Sequence, residues 1–336
     1  MRGLAACAIL FWHYQHFTGL GKSQVGKMAD YPLYSVFRLL YEHGGLAVQL
    51  FWIISGFVFA AVYQGSRISG RDFALHRIAR LHPLHLVTLL VVAGLQIACG
   101  RIFGAPLIYP NNSPATFIAH LAFASGWGIW NASSFNGPIW SVSAEVFIYA
   151  LFWASLGFLF RWRLVLPLAA SAIFFLLRDS PIAACGAYFF MGCSIYVIHR
   201  AAPVAWQVVC IVAGVTAFAA LLVLGKEGIA VLALFAALVL ACAMLEATRA
   251  SRWAKAVPWV ADNTYGVYLW HVPIQLMILL AMHQFGVSTA IFTSPWFLFF
   301  FLAAVIVVAR LSFIAIERPA RRAIRGLHHR EAAARS

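Results

Sequence analysis

The stretch VAWQVVCIVAGVTAFAALLVLGKEGIAVLALFAALVLACAMLE, residues 204–246, decides the fold. Two long apolar runs flank the short turn GKEG at 225–228, and before Glu246 the only formal charges are Lys226 and Glu227 in that turn. About 20 apolar residues is what an α-helix needs to cross ~30 Å of hydrocarbon. The pair therefore reads as two membrane spans, 204–224 and 227–246. The rest of the chain agrees: of 336 residues 63% are hydrophobic and only 10% charged, with a mean hydropathy of +0.86. A soluble domain carries about 25% charged residues, so this chain has too few to cover a water-facing surface. Its 28 Phe, 12 Trp and 11 Tyr exclude disorder.

Apolar runs predict ten spans, near 3–21, 44–64, 82–100, 139–160, 163–178, 182–199, 204–224, 227–246, 263–284 and 294–316. The expected class is an all-α polytopic integral membrane protein: one transmembrane domain over 1–317 and a basic tail over 318–336. Residues 115–130 are apolar too, but Gly126, Gly128 and polar flanks favour a re-entrant or interfacial helix. With the N-terminus inside, seventeen Lys and Arg fall on the cytoplasmic side and six on the other, with Arg310 within the last span. This positive-inside bias predicts that both termini are cytoplasmic. It also absorbs most of the net charge of +14, so no nucleic-acid partner is expected. The segment 101–138, rich in Gly, Pro, Asn and Ser, is expected outside, as part of a substrate mouth. The first run, interrupted by His13, Gln15 and His16, reads as a retained span rather than a cleaved signal. The six cysteines show no metal-site spacing, so they read as small core residues and no metal is expected.

Ionisable groups inside spans cost about 2.5 to 3.5 kcal/mol each on insertion scales, which makes each one a candidate for function. Arg2 and His13 are eleven residues apart, about 20° from eclipsed on an α-helix and roughly 16 Å along it. Arg77 and Arg80, in FALHRIARLHPLH at 73–85, share a helix face at the cytoplasmic entrance, where two guanidinium forks suit phosphate. On the residues alone, ordinary positive-inside charge ahead of a span is the stronger explanation. Glu145, in WSVSAEVFIY at 140–149, stands between Ser141 and Tyr149 on one face, and a lone carboxylate in a span needs a donor or a proton. His271, closing YGVYLWH at 265–271, reaches a depth similar to His13 and Glu145. His283 and Arg310, nearer the span ends, read as snorkelling structural residues.

Six segments in order resemble the bacterial integral-membrane acyltransferase family 3, which includes O-antigen, exopolysaccharide, peptidoglycan and Nod-factor O-acyltransferases. RGLAACAILFWHY at 2–14 is similar to its R-x10-H motif, GGLAVQLFWIISGF at 44–57 to its Gly-rich span, and HRIARLHP at 76–83 to R-x-x-R-x-x-P. WSVSAEVFIY matches the segment W-S-L-x-x-E-x-x-Y, YGVYLWH matches Y-x-x-Y-L-x-H, and ERPARR at 317–322 the closing E-x-P. The resemblance implies acetyl-CoA or another acyl-CoA as cytoplasmic donor, and a carbohydrate or glycolipid hydroxyl as acceptor. It also implies a multi-pass place in the bacterial inner membrane. Carried over, Arg2, Arg77 and Arg80 would hold the donor, and His13 and Glu145 would serve the chemistry with His271 nearby. Gln49 stands where the family often has Asp, so a carboxylate role there is not assigned. The motif usually follows further cytoplasmic residues, so a start upstream of Met1 is expected.

The residues support that chemistry on their own terms. O-acylation needs a base, and imidazole, with an unperturbed pKa of about 6.5, suits the task near neutrality. His13 is the expected base, with Glu145 orienting it or pairing instead with His271. Ser55, beside Gly56, reads as a site of close helix approach rather than a nucleophile. The competing reading is a proton-coupled transporter or lipid-linked sugar flippase using His13, Glu145 and His271 as a relay; the absence of inverted repeats speaks against it.

Overall fold

The computed structural model describes residues 1–18, 27–129, 133–247 and 258–324, side chains excepted at 247 and 258–262. Among the described residues every regular element is a helix. The α-helices are α1 (Arg2–Trp12), α2 (Tyr34–His43), α3 (Ala47–Tyr63), α4 (Gly70–Phe103), α5 (Pro114–Leu121), α6 (Ile139–Leu159), α7 (Val165–Leu176), α8 (Pro181–Ala201), α9 (Val204–Val223), α10 (Glu227–Ala247), α11 (Pro258–Gln284) and α12 (Pro295–Ser312). A π-helical turn, Phe313–Glu317, follows α12. Eight helices among the described residues are long and apolar enough to cross a membrane. The other two expected spans are shorter: α7 has 12 residues, and α1 has 11 before the chain tightens. The segment expected to be re-entrant holds only the eight-residue α5, capped by the reciprocal Ser113 and Thr116 pair. Residues 325–336, most of the expected tail, and 19–26, which include the last three residues of the first expected span, lie outside the described residues.

Polarity inverted from the soluble pattern identifies lipid as the solvent. On α9 the buried residue is Gln207, while Val204, Trp206, Val208, Val209, Val212 and Val215 are exposed. Gln207 faces inward because α8 ends there: its amide donates to the carbonyls of His199 and Ala202 at 3.2 and 2.9 Å. Those carbonyls would otherwise end a helix unsatisfied. Cys99, Cys185 and Cys193 are buried as expected of small core residues, but Cys210 is exposed on α9. An apolar thiol has no reason to avoid hydrocarbon.

The chain forms two compact units interleaved in sequence: Met1–Arg2, Leu46–Ile68 and Ser141–Pro258 in the first, Gly3–Gly45, Ser69–Trp140 and Trp259–Ser336 in the second. In the first, α3 and α8 cross through two glycines. A Cβ at Gly56 would overlap the Phe189 carbonyl, and one at Gly192 would overlap that of Ile53. This close approach without side chains is how membrane helices gain contact, and it is what the SGF run provides. Ser55 bonds the Tyr149 hydroxyl at 3.1 Å, tying α3 to α6.

In the second unit, α4 runs unbroken through Pro83 for 34 residues, starting at the Ser69 cap and ending at Gly104, whose φ is 77°. At about 51 Å it is longer than ~30 Å of hydrocarbon requires, which leaves length for its basic first turns. Gly44 and Gly45 bring the chain against α1, where a Cβ on Gly44 would overlap the Ala8 carbonyl. A core of Leu89, Val92 and Cys99 on α4, Val272 and Leu276 on α11, and Phe135 holds the 107–109 segment and Phe117 against it. Polar clamps fix the same loop: Asn136 donates to the Leu269 carbonyl at 3.0 Å and Tyr268 to that of Pro138 at 2.6 Å.

Candidate active site

After Trp12 the chain tightens into a 3-10 helix, His13–Phe17. Three residues per turn align i with i+3, so His13 and His16 share one face and Tyr14 and Phe17 another. The aromatic face anchors the turn: Tyr14 donates to the Phe292 carbonyl at 2.6 Å, and Phe17 stacks on Phe292 with ring centroids 5.0 Å apart. The other face carries the imidazoles. The His13 ring lies 4.9 Å from His16 and 4.7 Å from His271 of α11, centroid to centroid. His271 is fully buried, and neither ring nitrogen makes a hydrogen bond of good geometry with a described residue. The carbonyls of Val267 and Tyr268, one turn back, approach it only weakly.

Hydrogen bonding sets which nitrogens carry hydrogen. His13 Nδ1 faces the Ile9 carbonyl at 3.1 Å. A carbonyl only accepts, so Nδ1 donates, and Nε2 is the lone-pair nitrogen. His16 Nδ1 lies 2.9 Å from the Gln275 amide oxygen, and the Gln275 nitrogen donates to the His13 carbonyl at 2.8 Å. Tyr109 meets His16 edge-on at 5.4 Å, its hydroxyl 3.4 Å from Nε2.

The structure thus brings together two expected residues, His13 and His271, both in the second unit. Arg77 and Arg80 belong to that unit as well, one turn apart on α4 and both half-buried, with the Arg77 guanidinium 6.0 Å from the Phe73 ring. Tyr265, first in the YGVYLWH segment, donates to the Leu81 carbonyl of α4 at 2.8 Å, next to these arginines in sequence. Glu145 and Arg2 are assigned to the first unit. Glu145 is half-buried on α6 with buried Ser141 and Tyr149 four residues to either side. Arg2 opens α1, eleven residues before His13 as the motif requires, but the α-helix yields to the tighter turn at His13 itself.

A family model described as an acyltransferase domain matches residues 1–313. The chain belongs to acyltransferase family 3. Neither a curated protein nor a solved structure matches it. The imidazole cluster is therefore a feature of a membrane acyltransferase, and three of its members were not assigned from sequence. His16 stood out only as an ionisable residue in a span, because it falls outside the R-x10-H motif that marks His13, although i and i+3 share a face on an α-helix too. Gln275 left a usable signal: an amide in an apolar span, four residues past His271 and so on its face. Tyr109 left none beyond lying in the 101–138 segment.

Proposed function

We propose that this membrane acyltransferase moves an acyl group, most simply acetyl, from cytoplasmic acyl-CoA to a hydroxyl of a cell-surface carbohydrate or glycolipid. The observation that carries the reading is the His13 imidazole, whose Nδ1 is engaged by Ile9 so that Nε2 is the proton-accepting nitrogen. Nε2 takes the proton of the acceptor hydroxyl as its oxygen attacks the thioester carbonyl. The C–S bond then breaks, and the imidazolium returns the proton to the departing thiolate, as a general base turned acid. His271, buried and poorly bonded beside His13, is the group that responds most directly to that transient charge.

Arg2, Arg77 and Arg80 are the proposed donor site. On one continuous helix, the forks of Arg77 and Arg80 are spaced one turn apart, which fits adjacent phosphates. Glu145 is proposed, from its motif, as the carboxylate that orients or stabilises an imidazole. The charge bias supports a bacterial inner-membrane protein with both termini in the cytoplasm, the side from which the donor would be supplied.

The test is release of free CoA from acetyl-CoA by protein in nanodiscs supplied with a glycan acceptor. Wild-type protein is expected to release CoA only with acceptor present, and His13→Ala to abolish the increment. Wild-type turnover in His13→Ala would remove the base. Proton-driven solute uptake into proteoliposomes without CoA release would instead establish the transporter reading.

A further inference from the structure

We propose that Gln275 is a positioning residue for the base, the pivot of a chain Tyr109–His16–Gln275–His13 that holds the His13 backbone and fixes the protonation pattern of His16. The inference rests on the reading of His13 as base. Gln275 is fully buried, and its partners allow one orientation. The His13 carbonyl is an acceptor only, so the amide nitrogen faces it at 2.8 Å. The amide oxygen is thereby turned to His16 Nδ1 at 2.9 Å, and that nitrogen must supply the hydrogen. A flipped amide would set two oxygens against each other at hydrogen-bond distance. His16 is then the Nδ1–H tautomer, and its Nε2 receives the Tyr109 hydroxyl at 3.4 Å. His16 has no vacant basic nitrogen left, while His13 keeps one. The junction of α-helix and 3-10 helix is held at the same time, because Gln275 bonds the first residue of the tightened turn.

A second observation at the far end of the chain supports the assignment. Tyr109 follows Ile108, a β-branched residue at φ 65°, a backbone state such residues rarely adopt and that costs on the order of 1–3 kcal/mol. Both flanks of the strained segment are braced. Gln96 bonds the Leu107 carbonyl and N–H at 2.8 and 3.1 Å, and Gly137 gives the Tyr109 ring space that a Cβ would fill. Strain kept by two independent braces points to a fixed task for the side chain it aims, and that side chain meets His16.

Nitrogen-15 NMR of histidine-labelled protein in liposomes reads the tautomers without substrate. The expected wild-type result is Nδ1–H at His16. Gln275→Leu is expected to release that tautomer, and Gln275→Glu to make His16 doubly protonated at pH 7. In turnover, Gln275→Leu is expected to lower kcat by roughly tenfold to a hundredfold with the acetyl-CoA KM unchanged, the cost of a slightly misplaced base. A wild-type His16 in the Nε2–H form overturns the proposal. So do variants whose His16 tautomer is unaltered, whatever their activity. If wild-type protein releases no CoA, the acyl-transfer reading fails, while the NMR arm still decides the role of Gln275. Should both variants fail to fold, the wild-type tautomer by itself upholds or overturns the proposal.

Discussion

The second unit contains two groups of imidazoles, one buried and one half-buried at His13 and His16, and they spend their nitrogens differently. His85 and His120, both fully buried, use the outer nitrogen Nε2: His85 donates to the His120 carbonyl at 2.8 Å, and His120 Nε2 lies 2.9 Å from the Ser134 hydroxyl. These bonds link α4, α5 and the loop beyond as a staple. His13 and His16 use the inner nitrogen Nδ1, on Ile9 and Gln275; His16 also meets the Tyr109 hydroxyl at its tip at 3.4 Å, so of the two it is His13 that keeps Nε2. Nε2, at the tip of the ring, is the atom best placed to reach another molecule. A histidine that bonds its tip to its own protein is architecture; one that anchors its base and keeps the tip is equipped for chemistry.

The contrast is broken most directly at His13. His13→Ala is expected to cut kcat by about 10²- to 10⁴-fold, the usual worth of a general base, with little change in thermal midpoint. Equal losses of activity and stability would make it a second staple. His271→Leu comes next: turnover is expected to fall by about tenfold or more. The variant should be at least as stable as wild type in a detergent melt, because a buried imidazole with poorly bonded nitrogens costs on the order of 1–3 kcal/mol. His120→Ala should behave in the opposite way, losing about 1–3 kcal/mol of stability while kcat per folded molecule stays within about threefold of wild type.

The smallest effect is the pH response of the staple. Burial, reinforced by His85 and only partly opposed by the Ser134 bond, depresses His120 to about 3. The folded form therefore keeps it neutral, whereas the unfolded chain binds a proton below about 6.5. Its contribution is complete above pH 6.5 and is lost as pH falls from there toward 3. Melts of wild type and His120→Gln at pH 7.5 and 5 check this: the wild type should lose more stability than the variant on acidification.

Hydropathy made the helices legible because lipid imposes a length and a polarity on each crossing. The expected spans at α1 and α7 are shorter as helices among the described residues, and the end of the first, 19–21, lies outside them. Once the loops had fixed the direction of each span, depth put His13, Glu145 and His271 at one level, and it was the family resemblance that implied His271 near His13. His16 carried no motif to give it a role, and nothing in HYQHF shows that the chain tightens into a 3-10 turn until Tyr14 and Phe17 find Phe292. Tyr109 depends on a strained residue braced by Gln96 eleven positions before Leu107, a relation no local pattern encodes. Glu145 stood out as a carboxylate within a span, yet its compact unit differs from that of His13.

The bond between His16 and Gln275 joins residues 259 positions apart. A ribosome adding about 5 to 20 residues per second needs roughly 13 to 50 s to pass from one to the other. Throughout that interval His13 and His16 are without the Gln275 side chain that bonds both in the finished structure. On the proposed reading, a nascent or truncated chain ending before α11 lacks both His271 and Gln275 beside His13, and is expected to release no CoA from an acyl-CoA donor.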